Sequence, residues 1–300
     1  MNEGHKREIW AVGGGKGGIG KSLIVANMSI ILAQRGKKVV LIDADLGGAN
    51  LHTCLGIPQP KATLGDFLSR RVSRIEDTIV ETGIPNLRLI SGAQEILGAA
   101  NPKHSQKVRL LRTIGSLNVD FILIDLGSGT SFNILDFFLV SDHGLLVVIP
   151  EPTSIENAYR FLKCSFLRKV GNLAAQYDVK EVFDAVLDPK SSRGIRTPFE
   201  LFDEISKVDE KVVELLQKGM EGFKPKLILN QVRTDNDIRI GFSIRSACMK
   251  YLGIQMDYLG YIYYDDLVWQ SIRKKRPLII DYPHSLAAQG IRSTAESLLQ

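Results

Sequence analysis

The feature that most constrains this 300-residue chain is a glycine-rich loop at residues 13–22, which reads G-G-G-K-G-G-I-G-K-S. Its last eight residues fit the phosphate-binding pattern G-x-x-x-x-G-K-[ST]. The run Ile9–Val12 before the loop predicts a buried strand, and Leu23–Gln34 after it predicts a helix. Glycines let backbone N–H groups approach a polyphosphate, and the N-terminus of a helix favours the anion. The alternative is a glycine-rich turn with a chance lysine, and the flanking strand and helix disfavour it.

Two side chains of the loop have a predicted role in binding a nucleoside polyphosphate. Lys21 is expected to reach the β- and γ-phosphates, and the Ser22 hydroxyl is expected to coordinate Mg²⁺.

Two further apolar runs end in acidic residues. Val39–Ile42 is followed by Asp43 and Asp45, and Phe121–Ile124 is followed by Asp125. Carboxylates at the carboxyl ends of parallel strands point into the crevice where ligands bind. There they suit the binding of Mg²⁺ and the positioning of an attacking water. Taken alone these acids would be interpreted as solvated turn residues, but the phosphate loop upstream favours the metal site.

A second lysine, Lys16, lies inside the loop, and K-G-G-I-G-K-S resembles the MinD/ParA family of P-loop ATPases, whose deviant Walker A motif carries this signature lysine. In that family the lysine reaches across an ATP-sandwich dimer to the partner subunit's nucleotide. A solvated loop charge is the alternative for Lys16. The resemblance implies an ATP-switched homodimer that binds ATP or ADP with Mg²⁺.

The resemblance also implies individual roles. Lys16, Lys21 and Asp45 are the expected catalytic residues, with Asp45 orienting the water. The expected metal-binding residues are Ser22, Asp43 and Asp125. The expected nucleotide contacts are Gly15, Gly17, Gly18, Ile19, Gly20, Lys21, Ser22, Leu23 and Asn230, the last at the adenine edge.

Three later segments resemble the MinD-like regulators of flagellar number and placement. They are D-A-D-L-G at 43–47, D-L-G-S-G at 125–129 and P-E-P-T-S-I at 150–155. The two prolines of the third segment bar a helix before Thr153, so the sequence predicts a helix from Ile155 with Ser154 as its cap. The resemblance implies a regulator of the position or number of a cellular structure, with a protein activator or cargo as partner.

The order of strands and helices predicts an α/β fold, a doubly wound and mostly parallel sheet of about seven or eight strands with helices on both faces. Residues 1–300 are interpreted as a single MinD/ParA-like ATPase domain. Between 165 and 222 apolar residues fall at helical spacing, where compact relatives need only a short connection. We expect a helical insertion there, which either packs on the flank of the domain or meets a partner.

Charge and cysteine content limit the partners and the compartment. The net charge of +5 permits contact with nucleic acid or an anionic membrane without requiring either. The densest basic run, R-K-K-R at 273–276, is either a solvated helix end or a contact for anionic lipid or DNA phosphate. The three cysteines form no C-x-x-C, and no apolar stretch predicts a signal peptide or a membrane span. We expect a cytoplasmic protein, with a peripheral contact at the inner face of the membrane left open.

Three other functions share the motifs or the fold. A ParA-like DNA-segregation ATPase would use the same loop and bind nonspecific DNA in a salt-dependent way. An iron–sulfur carrier needs paired cysteines at the dimer axis, which the absence of C-x-x-C disfavours. An ATP-dependent metabolic synthetase shares the fold, but its phosphate loop usually lacks the equivalent of Lys16.

Overall fold

The computed structural model describes residues 7–45, 48–92, 104–187 and 197–299. The predictions made for Leu46 and Gly47 of the D-A-D-L-G motif therefore lie outside the described residues. The strands are β1 (Glu8–Gly13), β2 (Val39–Asp43), β3 (Ile79–Glu81), β4 (Leu87–Ile90), β5 (Phe121–Asp125), β6 (His143–Val148), β7 (Lys226–Val232) and β8 (Asp257–Tyr263).

Helices connect most of these strands. They are α1 (Lys21–Gln34), α2 (Leu51–Cys54), α3 (Leu64–Leu68), α4 (His104–Ile114), α5 (Phe132–Val140), α6 (Pro152–Gln176), α7 (Lys180–Leu187), α8 (Pro198–Ser206), α9 (Glu210–Met220), α10 (Asp235–Leu252), α11 (Asp266–Lys274), α12 (Leu278–Asp281) and α13 (Leu286–Leu298). No helix in the described ranges combines the length and the apolar character needed to cross a membrane.

All eight strands belong to one sheet, in the order β3-β4-β2-β5-β1-β6-β7-β8. Every neighbouring pair is parallel except β3 and β4, which are antiparallel. The predicted fold class is therefore confirmed. The edge strand β3 was not predicted, because two half-buried residues and one exposed residue carry too little hydrophobic pattern to be recognised in the sequence.

The sheet is buried on both faces, and alternate residues of each central strand enter different cores. Trp10 and Val12 of β1 pack on the face that α1, α12 and α13 cover. Ala11 packs on the opposite face, with α5, α6 and α10. Helix α1 is buried along nearly its whole length between the sheet and α13, which explains why its sequence is apolar on all sides.

The strand register sets the position of the functional edge. Asp125 at the end of β5 lies opposite Val12 of β1 and opposite Asp43 of β2. The chain passes from β1 to β2 toward one edge of the sheet, and from β5 to β6 toward the other edge. The direction of winding reverses at β1, and ligands of doubly wound sheets bind at such a point.

The start of α6 corrects a prediction. The helix begins at Pro152, not at Ile155, because proline is favourable in the first helical turn, where its missing N–H needs no partner. Ser154 does not cap the helix. Its Oγ atom instead accepts a 3.1 Å hydrogen bond from the N–H of Ile149, which ties the loop after β6 to the helix.

The described residues between β6 and β7 are helical apart from short connections. Helix α6 continues through residue 165, so the predicted insertion does not begin at a helix boundary. Leu201, Ile205 and Leu216 of α8 and α9 are fully buried in the core of the sheet's α6 side. The division of the chain into one domain with an insertion at 165–222 stays a prediction.

Candidate nucleotide-binding site

The phosphate loop runs from the end of β1 at Gly13 to the start of α1 at Lys21, so the loop meets the N–H groups of a helix N-terminus. Gly20, the residue before α1, has φ 92°, a left-handed conformation that favours glycine. A Cβ atom at Gly15 would overlap the backbone carbonyl of Asn157 in α6. The glycines therefore meet two separate demands, one of backbone conformation and one of space.

The predicted nucleotide contacts at residues 15–23 come together in this loop and in the first turn of α1. The Ile19 side chain is buried, which leaves its backbone as the part that can meet a ligand. Asn230 of β7 also reaches the loop, where its Nδ2 atom donates a 2.8 Å hydrogen bond to the Ile19 carbonyl. The Asn230 amide therefore positions the phosphate loop, and its contact with an adenine edge stays a prediction.

Lys21 is the buried lysine of the loop. Its Nζ atom donates a 3.1 Å hydrogen bond to the carbonyl of Lys16. Burial lowers the pKa of Lys21, and the negative charges of Asp125 and Asp45 oppose that change. The ammonium group thus lies within electrostatic reach of both acidic strand ends, a position suited to neutralising phosphate charge.

Asp125, at the end of β5, is 3% exposed. It accepts a hydrogen bond from the hydroxyl of Ser22, and its Oδ1 atom has no hydrogen-bond partner among the described residues. Burial, followed by the nearby charge of Asp43, raises the pKa of Asp125 to about 8. A buried oxygen without a partner costs free energy, which a cation bound beside it would recover.

Asp43, the last residue of β2, is paired with Asp125 across the sheet, and the charge of Asp45, two residues later, also acts on Asp125. The carboxylate of Asp43 accepts hydrogen bonds of 3.1 Å from the N–H groups of Asp45 and Leu51, and burial raises its pKa to about 6. The carboxylate of Asp45 packs against Gly127, where an added Cβ atom would lie 3.2 Å from it. The acid predicted to orient water is therefore in contact with the glycine turn that follows Asp125.

The residues present fit a magnesium ion. A hydroxyl and carboxylates are the oxygen donors that Mg²⁺ prefers, and the unpartnered Oδ1 atom of Asp125 is the structural mark of a missing positive charge. Within the described ranges no three His, Cys, Asp or Glu side chains form a metal cage. A nucleotide site does not need one, because phosphate oxygens and waters supply most ligands of Mg²⁺.

Lys16 points away from this cluster. Its Nζ atom contacts the Glu151 carboxylate at 3.1 Å and the Thr153 hydroxyl at 3.3 Å, and its side chain is 38% exposed. An ion pair this exposed contributes only about 0–1 kcal/mol to stability. The lysine is therefore held loosely at the rim of the loop, on the segment before α6.

Three residues near the site have no role in the sequence analysis. Glu151 and Thr153 hold Lys16. The segment that contains them was noted in the sequence, but no contact with the phosphate loop was predicted for these two residues. Asn27 is a buried amide in the middle of α1, and its Oδ1 atom accepts a 2.8 Å hydrogen bond from the N–H of Ile279 in α12. Asn27 and Ser29 are the two polar residues in the otherwise apolar middle of α1, and that pattern is the sequence signal for a buried amide there.

Comparison with known families identifies the loop and the first half of the chain. A family model described as ParA, NUBPL iron-transfer P-loop NTPase, matches residues 5–173. The antiactivator FleN of Pseudomonas aeruginosa is 26% identical over 308 residues, which cover 99% of this chain and 88% of FleN. The flagellum site-determining protein YlxH of Helicobacter pylori is 33% identical over 184 residues, 58% of this chain and 60% of that protein.

Solved structures share the fold. The septum site-determining protein MinD of Pyrococcus horikoshii, complexed with Mg-ADP, superposes with a TM-score of 0.66. The superposition covers 98% of this chain and 96% of that one, at 22% sequence identity. At that identity the likeness establishes the architecture, and the residue roles are argued from this chain's own geometry.

Proposed function

Since the chain belongs to the ParA/MinD family of P-loop ATPases, we propose that it is a slowly hydrolysing switch that dimerises around ATP·Mg²⁺. The switch would control the position or number of a cellular structure of the flagellar type. The name of YlxH, a flagellum site-determining protein, supports this role. The similarity to the antiactivator FleN extends over nearly the whole chain and supports a regulatory role. We place the protein in the cytoplasm, with a protein activator or cargo as a further partner.

The observation that carries the proposal is the opposite placement of two lysines in one loop. Lys21 is buried beside the acids that would share its nucleotide. Lys16 lies at the exposed rim and is held by one weak ion pair and one hydrogen bond to the Thr153 hydroxyl. A lysine placed there is available to a second subunit closing over the loop. Stabilisation of a transferring phosphoryl group by a positive charge supplied in trans is worth ~10³–10⁵ in rate in related nucleotide switches. Slow turnover by the isolated chain is therefore part of the proposal.

The remaining roles follow from position. The backbone N–H groups of residues 15–23 would cradle the phosphates, and Lys21 would neutralise their charge. Ser22, Asp43 and Asp125 would hold Mg²⁺, which supplies charge neutralisation at the phosphate oxygens when it is bound. Asp45 would accept a hydrogen bond from the attacking water and so align it with the γ-phosphate. Because Asp45 packs on Gly127, a rearrangement of the acidic segment at 43–45 would reach the glycine turn at 127–129.

The test is the oligomeric state by light scattering with Mg²⁺, with ADP compared against ATP. We expect a dimer with ATP only, stabilised in Asp45→Ala, which binds ATP but hydrolyses it poorly. Lys16→Ala should remain a monomer in ATP, while Lys211→Ala, which removes an exposed lysine from α9, should dimerise like the wild type. A monomer in both nucleotides, or a dimer indifferent to Lys16, would move the interpretation toward an ATP-dependent metabolic enzyme.

A further inference from the structure

Helices α11 and α12 expose a surface that the nucleotide site does not use. Trp269, Ile272 and Ile280 are 59%, 49% and 40% exposed, although residues of these types are usually buried. Trp269 and Arg273 are four residues apart on α11, and the Arg273 guanidinium lies 4.6 Å from the Trp269 ring centre. We call this surface the α11–α12 patch, and it comprises Trp269, Ile272, Arg273, Lys274, Lys275 and Ile280.

The α11–α12 patch carries uncompensated positive charge. Arg276 is paired with Asp281 at 2.9 Å, and the hydroxyl of Tyr264 donates to Asp266. Within the described residues no carboxylate forms an ion pair with the three other basic side chains of the run, which are Arg273, Lys274 and Lys275. All three are exposed, and Lys274 donates to the hydroxyl of Tyr282. Three exposed positive charges therefore lie on the same short segment that exposes a tryptophan and two isoleucines.

We propose that the α11–α12 patch docks this protein on the surface of an anionic lipid bilayer. Trp269 and the isoleucines would enter the boundary between headgroups and acyl chains, and the basic residues would contact lipid phosphates. This combination of exposed tryptophan, aliphatic and basic side chains on two adjacent helices is what an interfacial membrane contact requires. Nucleic acid would use the charges and the aromatic ring, but exposed aliphatic side chains gain nothing from phosphates or base edges.

The α11–α12 patch rests on the two elements that frame the nucleotide site. The N–H of Ile279 in α12 donates to Asn27 of α1, the helix that follows the phosphate loop. The turn after α2 packs on the end of α11, where a Cβ atom at Gly56 would overlap the Lys275 carbonyl. Helix α2 itself begins at Leu51, whose N–H donates to Asp43. The docking surface thus has direct contacts with both the phosphate-loop helix and the acidic segment after β2.

The chain contains two tryptophans, which makes the docking directly observable. Trp10 is fully buried in the sheet and gives a constant background, so a change in emission reports Trp269. We would add vesicles of phosphatidylglycerol and phosphatidylcholine in equal parts, or of phosphatidylcholine alone, to the full chain with Mg²⁺ and ADP or ATP. A blue shift with the anionic vesicles only is expected, and Trp269→Phe should abolish the shift.

Removal of charge supplies the second readout. Arg273→Gln with Lys274→Gln should lower the partition into anionic vesicles, measured by co-sedimentation, by about thirtyfold, because each basic residue near such a surface contributes ~1 kcal/mol. The matched control is Arg245→Gln with Lys250→Gln, which removes the same charge from α10, where these residues also lie over aromatic rings. The control should sediment like the wild type.

Two results would overturn the inference. One is an unchanged Trp269 emission with anionic vesicles. The other is a double-stranded DNA affinity that depends on Arg273 and Lys274 while vesicle binding does not, which would assign the patch to nucleic acid. The inference does not rest on the ATP switch, because a failed switch appears as a missing ATP-dependent dimer and leaves the vesicle readout intact.

Discussion

Replacement of Asp125 by asparagine should change how the stability of the nucleotide-free protein depends on pH. Burial raises the pKa of Asp125 from 3.8 to about 8, so near neutral pH the folded chain holds a proton there that the unfolded chain has lost. The free energy of unfolding of the wild type therefore falls as pH rises from the unfolded value toward the folded value. Asparagine has the same shape and never ionises, so this contribution disappears in the variant.

The magnitude follows from the two pKa values. Between about pH 5 and about pH 7, the Asp125 contribution to the free energy of unfolding falls by about 2.5 kcal/mol. For a chain of 300 residues, 1 kcal/mol corresponds to roughly 1.6 °C in Tm. The Tm of Asp125→Asn relative to the wild type should therefore rise by about 4 °C over this interval. Asp43, whose pKa is also raised, titrates in both proteins beside a group that is uncharged through most of this interval, so its own contribution is largely removed from the difference.

The assay is thermal unfolding of both proteins, free of nucleotide and Mg²⁺, across this pH range in buffers of equal ionic strength. Asp77→Asn, a change at an exposed carboxylate, is the control and should follow the wild type. The quantity compared is how the Tm difference between Asp125→Asn and the wild type changes with pH. An effect of the substitution on Lys21 that is the same at every pH therefore does not alter the result. If wild type and Asp125→Asn shift in parallel, Asp125 is ionised in the folded protein and the reasoning from its burial is wrong.

Three further outcomes are expected. Binding of ADP with Mg²⁺ near pH 7 should release protons that Asp125→Asn does not release, seen by calorimetry in buffers of different ionisation enthalpy. Asn230→Ala should lower stability by about 1–3 kcal/mol, because the Ile19 carbonyl loses its partner, and should weaken ADP and GDP binding equally. A loss confined to ADP would instead indicate the adenine contact. Gly15→Ala should reduce nucleotide affinity and cost about 1–3 kcal/mol of stability through its overlap with Asn157, whereas unchanged ADP binding by titration would show that the loop can move aside.

The strands and the phosphate loop could be predicted because their signals are local. A strand buried on both faces reads as an apolar run, and each run here ends at the acid or glycine that forms the site. The predicted runs Ile9–Val12, Val39–Ile42 and Phe121–Ile124 agree with β1, β2 and β5 to within one residue at each end. The predicted start of α6 was wrong because we assumed that proline excludes a helix, whereas proline is tolerated in the first helical turn.

Other features depend on contacts between distant segments. The hydrogen bond from Asn230 to the phosphate loop joins residues 211 positions apart, and the contact of Lys16 with Glu151 spans 135. The adenine role predicted for Asn230 came from a motif, but the geometry of its amide came from the packing of β7 beneath the loop. No local pattern contains that information.

The sequence by itself determined the chemistry of this protein: a phosphate loop, acids at the ends of two strands, and a sheet wound around them. These follow from backbone conformation and hydrophobic burial, which act over a few neighbouring residues. The tertiary structure alone decided the state of each group. Asp125 acquires a raised pKa because β1 and β2 enclose it, and Trp269 stays exposed because α11 turns only its other face to the core. Burial is a property of the assembled fold, since the free energy of a charge or a ring depends on which distant segments surround it.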